Sequence, residues 1–202
     1  MQSSIFRFAR TFTLIFFVLA LAACGSTSKL NRTEGSTMSL ADYSTVYVAD
    51  FADKTPSKIT DAAKLATYRE SVKAAGVTFA DMIGTNVEKI DTPPSMLRAV
   101  PADDAESSTG KVLRIEGEIT TFQRGNALAK MLLPFAGSTK FNATVRFIDQ
   151  ATGEKIGEIV VDKNSSPLGG GIAATQTTNK FMSGAAEKVG EQLAIARNGS
   201  PK

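Results

Sequence analysis

The residues able to do chemistry are few, and their types narrow the field at once. The 202-residue chain contains no histidine. That removes imidazole general acid/base catalysis, Ser-His-Asp and Cys-His nucleophiles, and histidine-ligated metals. It contains one cysteine, Cys24. A single thiol builds neither an internal disulfide nor a multi-cysteine metal site. Carboxylates, lysines, serines and glycine-rich turns remain. Glu116 and Glu118 lie two apart on one face of a strand pattern, and paired carboxylates in split environments can divide acid from base. Arg114 shares that face, and Lys140 and Arg146 suit an opposing strand, so a charged solvent face of antiparallel sheet accounts for them better. Asp50 and Asp53 fall around the end of the first core strand, where ligands bind in many α/β sheets. Turn chemistry competes there and is the simpler reading.

Two further patterns are weaker. Gly169-Gly170-Gly171 precedes a helical stretch, as a phosphate cradle does, but follows neither nucleotide-binding glycine spacing. It reads as a hinge. The Ser-x-x-Lys spacing occurs at Ser26 to Lys29 and at Ser108 to Lys111, in both cases in loops and without companion motifs. Asp103, Asp104 and Glu106 do not follow a calcium-loop spacing. The expectation is a protein that is not an enzyme, with no catalytic residue, no metal and no cofactor.

The lone cysteine has a context. Arg7 and Arg10 are the only charged side chains before it, followed by the apolar run Thr11 to Ala20 and then Leu21-Ala22-Ala23-Cys24. A basic start, a short apolar stretch and small residues at the cut describe a secretory signal. From Thr11 to Ala23 is 13 residues, short of the roughly 20 a membrane-spanning helix requires. Leu21, Ala22, Ala23 and Cys24 resemble the bacterial lipobox. The resemblance implies that Cys24 is diacylated, the chain is cut before it, and the new amine is acylated. Gly25 stands where an aspartate would mark inner-membrane retention, which points to the outer membrane with the domain facing the periplasm of a Gram-negative bacterium.

Cleavage changes the charge balance. The full chain has 23 Lys+Arg against 20 Asp+Glu. Arg7 and Arg10 leave with residues 1–23, so the remaining 179 residues are nearly neutral. The basic pI then gives no support to nucleic-acid binding.

The elements that position these residues follow from periodicity. Residues 24–41 are rich in Gly, Ser and Thr and read as the acylated cysteine with a flexible tether, of r.m.s. span roughly 20–25 Å. Residues 42–198 read as a single α+β domain, and 199–202 as a tail. Tyr43 to Phe51 is β-branched and aromatic on both faces, as interior strands are. Thr60 to Ile90 predicts a long helix, with Leu65, Tyr68, Val72, Ala75, Phe79 and Met82 in one stripe and Thr60 or Ser57 as its cap. A short strand is expected within Ser95 to Val100. Three strands follow, over Val112 to Gln123, Lys140 to Asp149 and Lys155 to Lys163, the last two joined by a glycine-bearing hairpin. Ala173 to Arg197 predicts a second amphipathic helix. Two such helices require a sheet face, so the expected architecture has two layers. A mixed or antiparallel sheet of about four to five strands carries both helices on one face.

One connection breaks the usual pattern. Ala127 to Phe135 joins two strands yet is almost wholly apolar, with one charge at Lys130. Connections are normally polar and exposed. An apolar one either tucks into the core or marks a contact surface. Tucking into the core as a short helix or strand extension is the simpler reading; on the contact reading, Leu128, Met131, Leu132, Leu133 and Phe135 are the candidate contact for an envelope protein partner or for the bilayer beside the anchor.

Several segments together resemble a known family. They are Val46-Tyr47-Val48-Ala49-Asp50-Phe51, Leu113-Arg114-Ile115-Glu116-Gly117, Gly125-Asn126, Phe135-Ala136-Gly137-Ser138, Asp149 with Thr152-Gly153, and Gly169-Gly170-Gly171. The pattern is similar to that of a family of uncharacterised bacterial lipoproteins, the domain of unknown function 4410. The resemblance implies location and architecture and no assigned activity. The function expected is a protein-interaction module of the cell envelope. A small-ligand or glycan-binding lipoprotein, using the strand-end acids and Gly169 to Gly171, is the alternative.

Overall fold

The computed structural model describes residues 26–34, 36, 38–90, 98–100, 104–105, 110–125, 138–165 and 176–198. The strands are β1 (Ser26–Thr27), β2 (Asn31–Arg32), β3 (Thr45–Val48), β4 (Ala52–Asp53), β5 (Arg98–Val100), β6 (Val112–Gln123), β7 (Lys140–Asp149) and β8 (Lys155–Asn164). The long helices are α1 (Ala62–Glu88) and α2 (Thr178–Asn198), and a 3-10 turn covers Leu40–Asp42. All eight strands belong to one mixed sheet, ordered β1-β8-β7-β6-β3-β5, with β2 also on β8 and β4 on β6. The α+β class and the two helices agree with expectation, but the sheet holds more strands than the four to five expected. β1, β2 and β4 are two-residue pairings at the sheet margins. Segments so short carry no period-2 pattern to read.

β3 runs parallel to both β5 and β6. α1 is the crossover between β3 and β5, the connection parallel strands require. Asp61 caps α1, its Oδ1 accepting from the Lys64 N–H at 2.8 Å, so the cap lies one residue from Thr60. Val72, Ala75 and Phe79 of the expected stripe are buried, together with Ile83 and Val87. β6, β7 and β8 form an antiparallel meander whose core-facing Leu113, Ile115, Phe141, Val145 and Ile159 are fully buried. α2 adds Met182, Ala185, Val189 and Leu193 to the same cluster. Phe79 sits at its centre, edge-on to Phe51 at 4.8 Å and to Phe141 at 5.0 Å between ring centroids. Burying each such ring contributes about 1.5–3 kcal/mol.

Two irregularities tune the pattern. The register shifts between Ile119 and Thr121, which turns Phe122 inward after Ile119. A second shift, between Phe147 and Ile148, lets Ile156 and Ile159 both reach the core although they are three apart. Bulges re-aim side chains in this way. At Gly117 a Cβ would overlap the Thr144 carbonyl oxygen and the Phe51 ring, so only glycine lets Phe51 lie across β6.

The largest departure concerns the described residues of the expected tether, 26–34, 36 and 38–41. In place of a free tether, β1 and β2 pair antiparallel with the outer edge of β8, Ser26 opposite Asp162 and Asn31 opposite Glu158. Backbone bonds from Ser28 N to Val160 O and from Thr33 N to Ile156 O, both 2.8 Å, extend the pairing. Leu30 and Met38 pack on the core, and Leu40 is fully buried. The Ser and Thr content that suggests flexibility serves equally well here, because edge pairing is made by backbone groups.

Candidate functional site

The charged strand face is a self-paired surface. Arg114 Nε lies 3.0 Å from Glu116, and an Arg146 nitrogen lies 3.1 Å from Glu118, with each side chain about one third exposed. Glu116 stands opposite Arg146 across β6 and β7. Both carboxylates have cationic partners on the same sheet face, the one turned away from α1 and α2. One pair runs along β6 and the other crosses to β7, giving the charged sheet face that sequence reasoning favoured over acid/base chemistry.

Asp53 is brought to a different task. Its Oδ1 accepts from the N–H and hydroxyl of Thr55 at 2.8 and 2.7 Å, and its Oδ2 pairs with Arg69 at 2.8 Å. Arg69 also donates to the Thr55 carbonyl. Burial alone would raise the Asp53 carboxyl, but the Thr55 hydrogen bonds and then Arg69 hold it below its ordinary value. The group ties β4 to the first turns of α1, as the turn reading implied. Asp50 lies apart from it. With Asp81 and Glu88 it borders an open cleft of about 510 Å³ between α1 and β5, floored by Val48, Ala80 and Ala99. All three carboxylates are exposed. Among the described residues no group of three or more potential ligands is arranged to hold a metal ion.

A buried polar pair escaped sequence reasoning. Tyr43 and Asp149 are 106 positions apart, yet the Tyr43 hydroxyl donates to Asp149 Oδ2 at 2.7 Å. Both residues are almost fully buried. Asp149 also accepts from the Thr152 N–H at 2.7 Å and its hydroxyl at 2.9 Å. Burial pushes the Tyr43 phenol well above its ordinary range, and the adjacent Asp149 carboxylate adds to the rise. At Asp149, burial opposes ionisation, but the bonds from Tyr43 and Thr152 outweigh it and the carboxyl titrates below its ordinary value. The pair locks the entry to β3 onto the β7–β8 hairpin. The only sequence signal was the Asp-x-x-Thr-Gly turn, which shows a loop and not its distant partner.

Cys24 and its preceding Leu21, Ala22 and Ala23 lie outside the described residues, as do Leu128, Met131, Leu132, Leu133, Phe135 and Gly169 to Gly171. Their described flanks have definite positions. Gln123, Lys140 and Asn164 are aligned across β6, β7 and β8, so both apolar and glycine-rich connections leave from one end of the sheet. Ser26, beside Asp162, stands two residues short of that same end. Among the described residues no helix is long and apolar enough to cross a membrane.

An α+β domain with a meander, a parallel crossover and a charged sheet face turned away from its two long helices is the class these elements define. The chain belongs to the family described as domain of unknown function (DUF4410), whose model matches residues 46–169. No curated protein matches its sequence. Among solved structures, the fold is shared with a PelC dodecamer from Paraburkholderia phytofirmans. That match has TM-score 0.53 and 13% identity and covers 84% of this chain and 98% of that one. Lipoprotein GNA1162 from Neisseria meningitidis aligns at TM-score 0.31 and 11% identity, over 68% of this chain and 90% of its own.

Proposed function

We propose that this protein is a lipoprotein of the cell envelope, anchored through acylated Cys24 after removal of residues 1–23. In this reading its periplasmic domain binds another envelope protein and catalyses no reaction. The destination is the outer membrane, from Gly25 in place of aspartate. The observation that carries the binding reading is the ion-paired sheet face turned away from α1 and α2. Its carboxylates are engaged in ion pairs with Arg114 and Arg146, which suits a persistent polar contact surface and not proton transfer. Leu128, Met131, Leu132, Leu133 and Phe135 supply the apolar part of the contact. A second copy of this chain is one candidate partner, since the PelC structure is a dodecamer.

Leu132→Glu with Leu133→Glu tests the contact. In-cell crosslinking from the domain should lose its captured protein while the circular dichroism and melting temperature stay near those of the parent. Unfolding of the variant would place the segment in the core and remove the contact surface. The cleft beside Asp50 favours a second reading, in which the domain takes a small polar ligand there. A ligand that shields Asp81 from carbodiimide labelling would support that reading over the first.

A further inference from the structure

The charges of the domain are unevenly divided between its two ends. At the end where β6 and β8 finish and β7 begins, Lys58, Lys64, Arg124, Lys140 and Lys180 are all exposed. Tyr68 donates to the Phe122 carbonyl, which sets the first turns of α1, with Lys58 and Lys64, at this end. The α2 start follows by direction. Leu30 N bonds to the Gln192 side chain beside mid-β8, and Gly190 abuts Asn86 near the α1 C-terminus. Thr178 and Lys180 therefore lie toward the end where β8 finishes.

No ion pair within the described residues engages any of these five cations. The nearby acids are fewer. Asp53 pairs with Arg69, while Asp61, which caps α1, and Asp162, which accepts from Asn164, keep their charge and leave the cations in excess. Both long helices also aim their positive dipole ends this way. Ile59, one of three large hydrophobics exposed among the described residues, stands next to Lys58. The far end differs. There Lys111 pairs with Asp42 and Lys155 with Glu158, and Glu88 and Glu154 offset Lys89 and Arg32.

We infer that the cationic end is a docking surface for the headgroups of an anionic phospholipid bilayer. This docking rests on the acylation of Cys24 proposed above. Ser26 is held on β8 opposite Asp162, and two residues of backbone reach at most about 7 Å. An acyl chain on Cys24 therefore enters the bilayer beside β8, on the side of the molecule that presents the cations. Lysine and arginine side chains near an anionic surface gain attraction that fades within a Debye length. The paired β1 and β2 keep them within that range, where a free tether would not. One lipidated residue and one basic end thus fix which way the domain faces, leaving the opposite end and the sheet face toward the periplasm.

The test is lysine acetylation footprinting of the full lipidated protein. It is reconstituted in vesicles of phosphatidylcholine alone, or of phosphatidylcholine with phosphatidylglycerol. The expected result is that acetylation of Lys58, Lys64, Lys140 and Lys180 slows severalfold with phosphatidylglycerol present, while Lys89 and Lys111 at the far end are unchanged. High salt should restore the labelling, and Lys58→Glu with Lys140→Glu should abolish the protection of Lys64 and Lys180. Equal labelling on both vesicles would overturn the docking and leave the cations to an acidic protein partner. The mass of the Cys24 peptide is read in the same samples. A peptide without acyl groups overturns the anchor and the docking together, whereas an acylated peptide with equal labelling overturns the docking alone.

Discussion

Tyr43 and Asp149 make the pH dependence of this domain specific. The phenol has a folded pKa above its ordinary 10.0. Its contribution is fully present below pH 10 and is lost as pH rises toward the folded value. The carboxyl has a folded pKa below its ordinary 3.8. That contribution is present above about pH 4 and is lost as pH falls through the folded value. Asp53, depressed in the same direction, adds to the acid side. Urea unfolding followed across pH should show a plateau with losses beyond both limits. Tyr43→Phe should cost about 1.5–3 kcal/mol at neutral pH, the range for a hydrogen bond to a charged group, and should flatten the alkaline limb. An alkaline limb unchanged in the variant would assign it to another group. No spacing in the sequence announces this pair, because a hydrogen bond across 106 positions leaves no local period.

Elements were legible in proportion to their length and regularity. α1, β6, β7, β8 and α2 each span ten residues or more, enough for their periods to stand out, and the structure places them close to the expected ranges. Met82 falls at the edge of the helix stripe, and burial continues at Ile83 and Val87, because a 3-4 spacing slips behind the 3.6-residue turn while the buried face keeps to it. The bulges near Ile119 and Phe147 were hidden, since one inserted residue mimics noise in a period-2 pattern. β1 and β2 were hidden more deeply. Their pairing depends on Gly157, where a Cβ would come within 2.7 Å of the Asn31 carbonyl oxygen and 3.1 Å of Leu30. The signal was thus a glycine on the partner strand. Gly157→Ala should push β2 from the edge and speed amide exchange at Ser28 and Thr33, which bond to Val160 and Ile156, with little change in the β6–β7 ladder. Unaltered exchange at those two amides would mean the edge tolerates the methyl group.

At the scale of the whole molecule, the described flanks of the connections and the cations share one end, which is where the proposed anchor would enter the bilayer, while the ion-paired sheet face looks elsewhere. Composition alone concealed this. The near-neutral balance of residues 24–202 averages over a basic end and the rest of the domain. The candidate contact from Leu128 to Phe135 departs from the basic end, so its partner must meet the domain close to the bilayer. All of this depends on Cys24 carrying lipid. The most direct measurement is the intact mass of the protein extracted from isolated outer membranes. The account predicts a chain beginning at Cys24, bearing a diacylglycerol on sulfur and an acyl group on the amine. A chain that retains residues 1–23, or one cut elsewhere and free of lipid, would contradict it.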